Sequence, residues 1–360
     1  MSAEPGLQAA VDEARRQIEI CNACRYCEGF CAVFPAMTRD KSFAAPQLLH
    51  LANLCHNCRG CYYACQYTQP HEFALNLPAA LDSLRHAGWQ QFARPSAMAR
   101  FVQTSGSAIA GLVIFAIALL AIAAALWHPT GGRAFYAVLS HRTMAGLFGA
   151  TFLLALASLG LGLRQYWQAS QAPPLRPRAL FRALGEAASL RNLDGGQGQG
   201  CNFEKGDRYT DTRRWAHHSV VMGFLLCFAA TCAATFLHYA MGLRAPYGPL
   251  SLPKLLGLPG GVLLCLGTAW LLALRRRAQA DLVAQAAEPG ALGFIWLLFV
   301  VAASGLALYA ARGSLLATPL LIGHLGAVLA FFLTLPYSKM VHGAYRIAAL
   351  AAEAGRRATP

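Results

Sequence analysis

At 360 residues the chain is 56% hydrophobic and only 13% charged, and with a mean hydropathy of +0.40 it does not read as a wholly soluble protein. A formal net charge of +14 would suit nucleic acid, but the Lys and Arg residues stand in blocks between long apolar runs. Membrane topology explains that pattern and a nucleic-acid surface does not.

Residues 1–20 place Val11, Ala14, Ile18 and Ile20 among Glu13, Arg15, Arg16 and Glu19, which predicts an amphipathic helix. No apolar signal-peptide core occurs there, so the N-terminal part is expected in the cytoplasm.

Eight of the twelve cysteines follow in two copies of one spacing. Cys21, Cys24, Cys27 and Cys31 read C-x2-C-x2-C-x3-C, and Cys55, Cys58, Cys61 and Cys65 repeat it. This is the bacterial ferredoxin pattern for two [4Fe-4S] clusters, in which the fourth cysteine of each run ligates the other cluster. The expected sets are Cys21, Cys24, Cys27 and Cys65 for the first cluster, and Cys55, Cys58, Cys61 and Cys31 for the second. Tetrahedral zinc uses pairs rather than triplets of close cysteines, and disulfides need an oxidising compartment. The proline that usually follows the fourth cysteine is missing, with Pro35 and Pro70 lying further on.

Six apolar runs are each long enough to span a bilayer, at about 105–127, 143–163, 217–241, 257–274, 291–311 and 318–337. The fourth is the weakest, because Pro253, Pro259 and several glycines dilute it. Trp127, Trp167, Trp215, Tyr239, Tyr309 and Tyr337 stand near span ends as interfacial aromatics. With the N-terminus inside, sixteen Lys and Arg residues fall on the cytoplasmic side after the first span. Five fall outside: Arg133, Arg142, Arg244, Lys254 and Arg312. The positive-inside rule therefore predicts cytoplasmic N- and C-termini in an inner (cytoplasmic) membrane.

The connector 165–214 contains Pro173, Pro174 and Pro177 and a flexible stretch from Gly195 to Gly200, without the spacing of a dinucleotide fingerprint. Cys201 stands alone in it, either a local ligand or an unremarkable loop thiol. Cys227, Cys232 and Cys265 lie in spans and read as small apolar fillers.

Histidines within spans are functional candidates. His217, His218 and His238 bracket the third span, while His324 and His342 bracket the sixth and its continuation. On one continuous helix His324 and His342 would share a face about 27 Å apart, and His217 is closer in phase to His238 than His218 is. Because the two spans run antiparallel, the expected pairs are His217 with His342 near the cytoplasmic side and His238 with His324 near the outer side. His218 is the alternative to His217, and His141 could replace an outer ligand. Facing histidines can supply both axial ligands of a b-type haem, so one or two haem b groups are expected. Pro336 interrupts the sixth span between its histidines.

The fold class expected is mainly α. An N-terminal α-helical ferredoxin-like domain (1–100) precedes a six-helix membrane bundle resembling cytochrome b (101–350) and a cytoplasmic tail (351–360).

The sequence resembles the tricarballylate utilization protein B family (TcuB, CitB-type) over nearly its whole length. The matching stretches are Cys21-Asn-Ala-Cys24-Arg-Tyr-Cys27-Glu-Gly-Phe-Cys31, Leu54-Cys-His-Asn-Cys58 through Cys65, Gly200-Cys-Asn-Phe203, Arg213-Arg-Trp-Ala-His-His218 and Leu335-Pro-Tyr-Ser-Lys-Met-Val-His342-Gly. The last also looks like the final haem-bearing helix of nitrate-reductase gamma-type cytochromes. The resemblance implies a membrane electron-transfer component rather than a stand-alone enzyme. It would reoxidise the reduced FAD of a partner tricarballylate dehydrogenase-type flavoprotein and pass electrons onward to quinone. Rival readings are a membrane subunit of a heterodisulfide- or sulfur-type reductase, and a redox sensor or transporter. The spans lack the buried acidic residues that transport would favour.

Overall fold

The computed structural model describes residues 5–39, 42–126, 139–193, 198–204, 206 and 208–358. Trp127, Arg133, Lys205, Gly195 and Gly196 lie outside them. Among the described residues the chain is built from helices, and the only β pairing is two isolated bridges, Cys201 with Thr210 and Glu204 with Ala278.

The N-terminal part contains α1 (Pro5–Cys24), α2 (Val33–Arg39), α3 (Ala45–Leu54), α4 (Gly60–Tyr63), α5 (Leu77–Phe92) and α6 (Ser96–Thr104). In α1 the residues spaced for one face, Val11, Ala14 and Ile18, are buried. Helix α5 starts where Asn76 accepts a hydrogen bond from the backbone N–H of Ala79 at 3.2 Å, with Pro78 in the first turn, where its missing N–H costs nothing.

Six helices are long and apolar enough to cross a membrane, so the chain is a multi-pass membrane protein. They are α7 (Gly106–Leu126), α8 (His141–Ala169), α10 (Thr212–Met241), α11 (Leu252–Arg277), α12 (Glu288–Ala310) and α13 (Ala317–Thr334). Between α8 and α10 lies the short amphipathic α9 (Pro177–Ala188), and α14 (Val341–Arg357) closes the chain. The fourth span is one helix from Leu252 to Arg277, with Pro259 inside it. Its glycines serve contact with α10, since a Cβ at Gly260 would lie 2.8 Å from the Leu226 Cβ and one at Gly223 would lie 2.5 Å from the backbone N of Leu264. Small residues let the two backbones approach, as membrane helices require in the absence of a hydrophobic drive between them.

Two details differ from expectation at the C-terminus. Pro336 has no N–H to continue the helix, and α13 ends at Thr334, whose carbonyl accepts from Tyr337 and Ser338 in a turn. The sixth span and His342 are therefore not on one continuous helix. Residues 351–357, expected as part of a tail, form the last turns of α14. Leu350, Ala351, Ala352 and Glu353 are buried there, with Glu353 paired to Arg39 of α2 and His50 of α3.

These contacts fuse the two parts of the chain. The core of α1, α3 and α5, including Ile18, Leu48, Leu51, Leu81 and Trp89, continues without a gap into Tyr166 of α8 and Tyr345 of α14. Phe92, Tyr166 and Tyr345 stack and edge-pack at 5.4–6.4 Å between ring centres. From α5, Asp82 accepts from the backbone N of Ala284 at 2.9 Å in the loop between α11 and α12. The cysteine-bearing part is thus seated on one end of the bundle.

Candidate functional site

The two cysteine repeats fold alike. The residue after the second cysteine is left-handed in both, Arg25 at φ 59° and Arg59 at φ 67°. In each copy the carbonyl of that arginine accepts from the N–H three residues on, Glu28 and Tyr62 respectively, at 3.1 and 3.0 Å. A left-handed non-glycine residue costs on the order of 1–2 kcal/mol. Both copies bear that cost at the point where the chain turns between its second and third thiols.

Cys21, Cys24, Cys27 and Cys65 line one cavity of about 290 Å³ together with Cys61. Cys31, Cys55, Cys58 and Cys61 line a smaller second one of about 20 Å³ with Phe30, Phe34 and His56. Cys61 touches both, so the cavities adjoin. Cys24 is exposed and Tyr26 beside it is 71% exposed, whereas Cys58 is buried. The first cavity faces solvent and the second lies deeper.

Burial pushes the Cys21 and Cys27 thiols up to about 12, with further upward pressure from neighbouring cysteines, Cys65 foremost. Burial likewise raises Cys58 to about 11 and Cys31 and Cys61 well above the ordinary thiol value. Such crowded thiols become thiolates only when a positively charged centre displaces their protons. Among the described residues no three Cys, His, Asp or Glu side chains converge on a single ion position. Backbone N–H groups of Asn57 and Tyr67 point at the sulfurs of Cys55 and Cys65 at 3.4 Å. Thiols spread around adjoining cavities, with N–H groups aimed at sulfur, fit polynuclear iron–sulfur groups better than zinc.

The histidines sort into an inner and an outer set. His217 of α10 and His342 at the start of α14 face each other with ring centres 5.9 Å apart and planes at 85°. Two metal–imidazole bonds of about 2 Å, with each ring centre about 1 Å behind its nitrogen, need a separation of about 6 Å. Nδ1 of His342 lies 2.6 Å from the Lys339 carbonyl oxygen, which can only accept. Nδ1 therefore carries the proton and Nε2 keeps its lone pair, the arrangement of a metal-ligating histidine. Nδ1 of His217 is buried without a partner. His218 instead lies against Trp215, with ring centres 6.2 Å apart. The inner pair fits a haem iron.

The outer set differs from the sequence-based pairing. His238 stacks on His141 with ring centres 3.7 Å apart and planes at 12°, too close for an iron between them. Nδ1 of His324 is 3.0 Å from the Ser304 hydroxyl, and the ring packs against Gly305 of α12. The pairing of His238 with His324 was expected from the antiparallel course of the two spans, and the structure instead sets His238 on His141 and His324 on Ser304. The stacked rings of His141 and His238 cannot hold an iron between them.

Sequence reasoning missed what holds the second cysteine loop. Residues 200–203 form a strap across it: Asn202 N–H donates to the Cys58 carbonyl at 2.9 Å, and Cys201, fully buried, exchanges backbone bonds with Thr210. The Phe203 ring is held between the guanidinium groups of Arg59 and Arg213, at 4.6 and 4.2 Å. Arg85, Arg213 and Arg346 each donate to a carbonyl of residues 55–57. In the sequence Arg346 reads as a topology-setting charge, and Arg213 as another that also opens the stretch Arg213-Arg-Trp-Ala-His-His218, with no role given to either side chain. Their spacing of four residues from His217 and His342 is the signal that could have singled them out.

The family described as Citrate utilization protein B Fer4-like domain matches residues 14–93, and that described as Citrate utilization protein B matches residues 96–360. The chain is also similar to the Escherichia coli protein Citrate utilization protein B, with 41% identity over 343 residues that cover 94% of this chain and 90% of the relative. No solved structure matches it.

Proposed function

The chain belongs to the citrate utilization protein B family, and from that premise we propose that it is a membrane electron-transfer protein serving the oxidation of a tricarboxylate. Its donor is the reduced FAD of a partner dehydrogenase for tricarballylate or a related tricarboxylate, and its acceptor is quinone. Each turnover removes two electrons and two protons from the flavin and adds two of each to the quinone, leaving this chain unchanged. The relative's name points to citrate and the sequence resemblance to tricarballylate. Both are tricarboxylates, and the partner's substrate site selects between them.

The observation that carries this reading is the pair of adjoining thiol-lined cavities together with the His217–His342 pair, whose helices reach the second cysteine loop through Arg213 and Arg346. Cys21, Cys24, Cys27 and Cys65 would hold one [4Fe-4S] cluster, and Cys31, Cys55, Cys58 and Cys61 the other. His217 and His342 would hold one haem b. These groups, when bound, supply the one-electron chemistry that side chains lack. The protein's own residues fix spacing and burial: α14 ties the cysteine domain to the bundle, and the exposed rim at Cys24 and Tyr26 offers the flavoprotein an approach. The cysteine domain and both termini are assigned to the cytoplasmic face of the inner membrane, following the distribution of Lys and Arg.

Purified protein, reconstituted with iron and sulfide and supplied with haem, tests the reading through its reduced-minus-oxidised optical spectrum and its metal content. About eight non-haem irons and one b-type haem per chain are expected. Zinc in place of iron, or no haem band after reconstitution, would overturn it.

A further inference from the structure

Four arginines converge on the second cysteine loop. The Cys55 carbonyl accepts from Arg85 and from Arg346, each at 2.6 Å, and the Asn57 carbonyl accepts from Arg213 at 2.6 Å. Arg59, only 1% exposed, reaches the Asn57 side-chain oxygen at 3.2 Å. Arg85 has a carboxylate partner in Asp82. Among the described residues, Arg213 and Arg346 are in no ion pair with a carboxylate, and Asp82, which acts on Arg346 from a distance, is itself paired with Arg85. Around the first cysteine loop the corresponding contact is that of exposed Arg25 with the carbonyl of Asn22. The two cysteine sites are equal in thiols and unequal in surrounding charge.

The placement of Arg213 and Arg346 is specific. Arg213 stands four residues before His217 on α10, and Arg346 four residues after His342 on α14. Residues four apart are neighbours on one helix face. Each helix that presents a histidine to the inner pair therefore also grips the second cysteine loop one turn away.

We propose that Arg213 and Arg346 are positioning residues that hold the second cysteine loop against the His217–His342 pair and raise the reduction potential of the cluster bound by Cys31, Cys55, Cys58 and Cys61 above that of its neighbour. This deepens the reading given under Proposed function and rests on it. A four-thiolate cluster is anionic and gains a further negative charge on reduction, so fixed cations in a half-buried site favour its reduced form. The solvent-facing first site lacks them. The resulting order of potentials draws electrons inward, from the exposed rim toward the membrane helices.

Potentiometric titration of the full-length protein followed by electron paramagnetic resonance tests this, with iron quantified in each sample. In R213Q and R346Q the midpoint of the second cluster should shift downward while that of the first stays in place. R213K and R346K keep the charge and should remain near the wild-type midpoint. If a Gln variant loses the cluster, the Lys variant at that position decides: a retained cluster near the wild-type potential supports the proposal. Unchanged potentials in Gln variants with full iron content would overturn it. So would Lys variants whose midpoints fall as far as the Gln variants', or loss of the cluster in all four. A wild-type protein without a second [4Fe-4S] signal would instead defeat the functional reading on which the proposal stands.

Discussion

The carboxylate of Glu353 lies 3.2 Å from Nε2 of His50, joining the last helix of the chain to the third across 303 residues of sequence. Arg39 and Arg357 donate to the same carboxylate. Burial alone would raise its pKa, but the hydrogen bonds from His50, Arg39 and Arg357 outweigh that and hold it at about 2, below the ordinary 4.5. A depressed carboxylate pKa stabilises the fold above the unfolded value, and the contribution is lost as pH falls from about 4.5 toward 2. Near pH 7 Glu353→Gln should therefore cost about 1–3 kcal/mol, and the gap between variant and wild type should narrow as pH approaches 2. Chemical unfolding in detergent at a series of pH values measures it. A gap independent of pH would remove the carboxylate from the docking of α14.

The inner histidines give a sharper division. Replacing His217 or His342 with Ala should abolish the haem b band, because each ring supplies half of a pair spaced for one iron. His218→Ala should retain it, since that ring rests on Trp215. His238→Ala and His324→Ala should also retain it. Haem content per chain, measured on each purified variant, separates these cases. Loss of half the haem in either outer variant would mean that a second haem binds there.

Much of this architecture was legible in the sequence because its signals are local. The cysteine spacing, the 34-residue offset between its copies and the six apolar runs all depend on near neighbours, and the structure follows them closely. The failures share one cause: they needed information carried by a break or by a distant contact. A helical wheel drawn through Pro336 could not know that α13 stops at Thr334, so it could not relate the face of His324 to that of His342. Glu353 looked like part of a polar tail because its partners, Arg39 and His50, are some three hundred residues away. The strap at Cys201 and Phe203 was visible as a motif but had no role until folding laid it over Cys58.

Cys201 and Cys58 are close neighbours, and their substitution should nevertheless have opposite outcomes. Cys58 lines the second cavity with Cys31, Cys55 and Cys61, so Cys58→Ala leaves that site with three thiols. Iron per chain should fall toward half, and membranes should reoxidise the partner's flavin several-fold more slowly. Cys201 is absent from the cavity lining and its backbone is engaged with Thr210, so Cys201→Ala should keep the iron content of the wild type. Iron and acid-labile sulfide per chain provide the readout. An equal loss in both variants would make Cys201 a ligand, and unaltered flavin reoxidation in Cys58→Ala would detach the clusters from the proposed path.

Gly200 tests the strap without touching a thiol or an arginine. Its φ is +94°, and a Cβ there would sit 2.3 Å from the Thr210 carbonyl oxygen and 2.4 Å from its carbon, both backbone atoms that cannot rotate away. Alanine must therefore push residues 200–203 off their partners, at a backbone cost on the order of 1–3 kcal/mol. The displacement removes the bond from Asn202 to the Cys58 carbonyl and loosens Phe203 from between Arg59 and Arg213. Gly200→Ala should accordingly expose the second cluster to oxygen while leaving the first in place. In air its iron content should decay to about half within a period in which the wild type is stable, and anaerobic preparation should restore the full complement. A variant that decays no faster than wild type would mean that the strap does not shield the cluster.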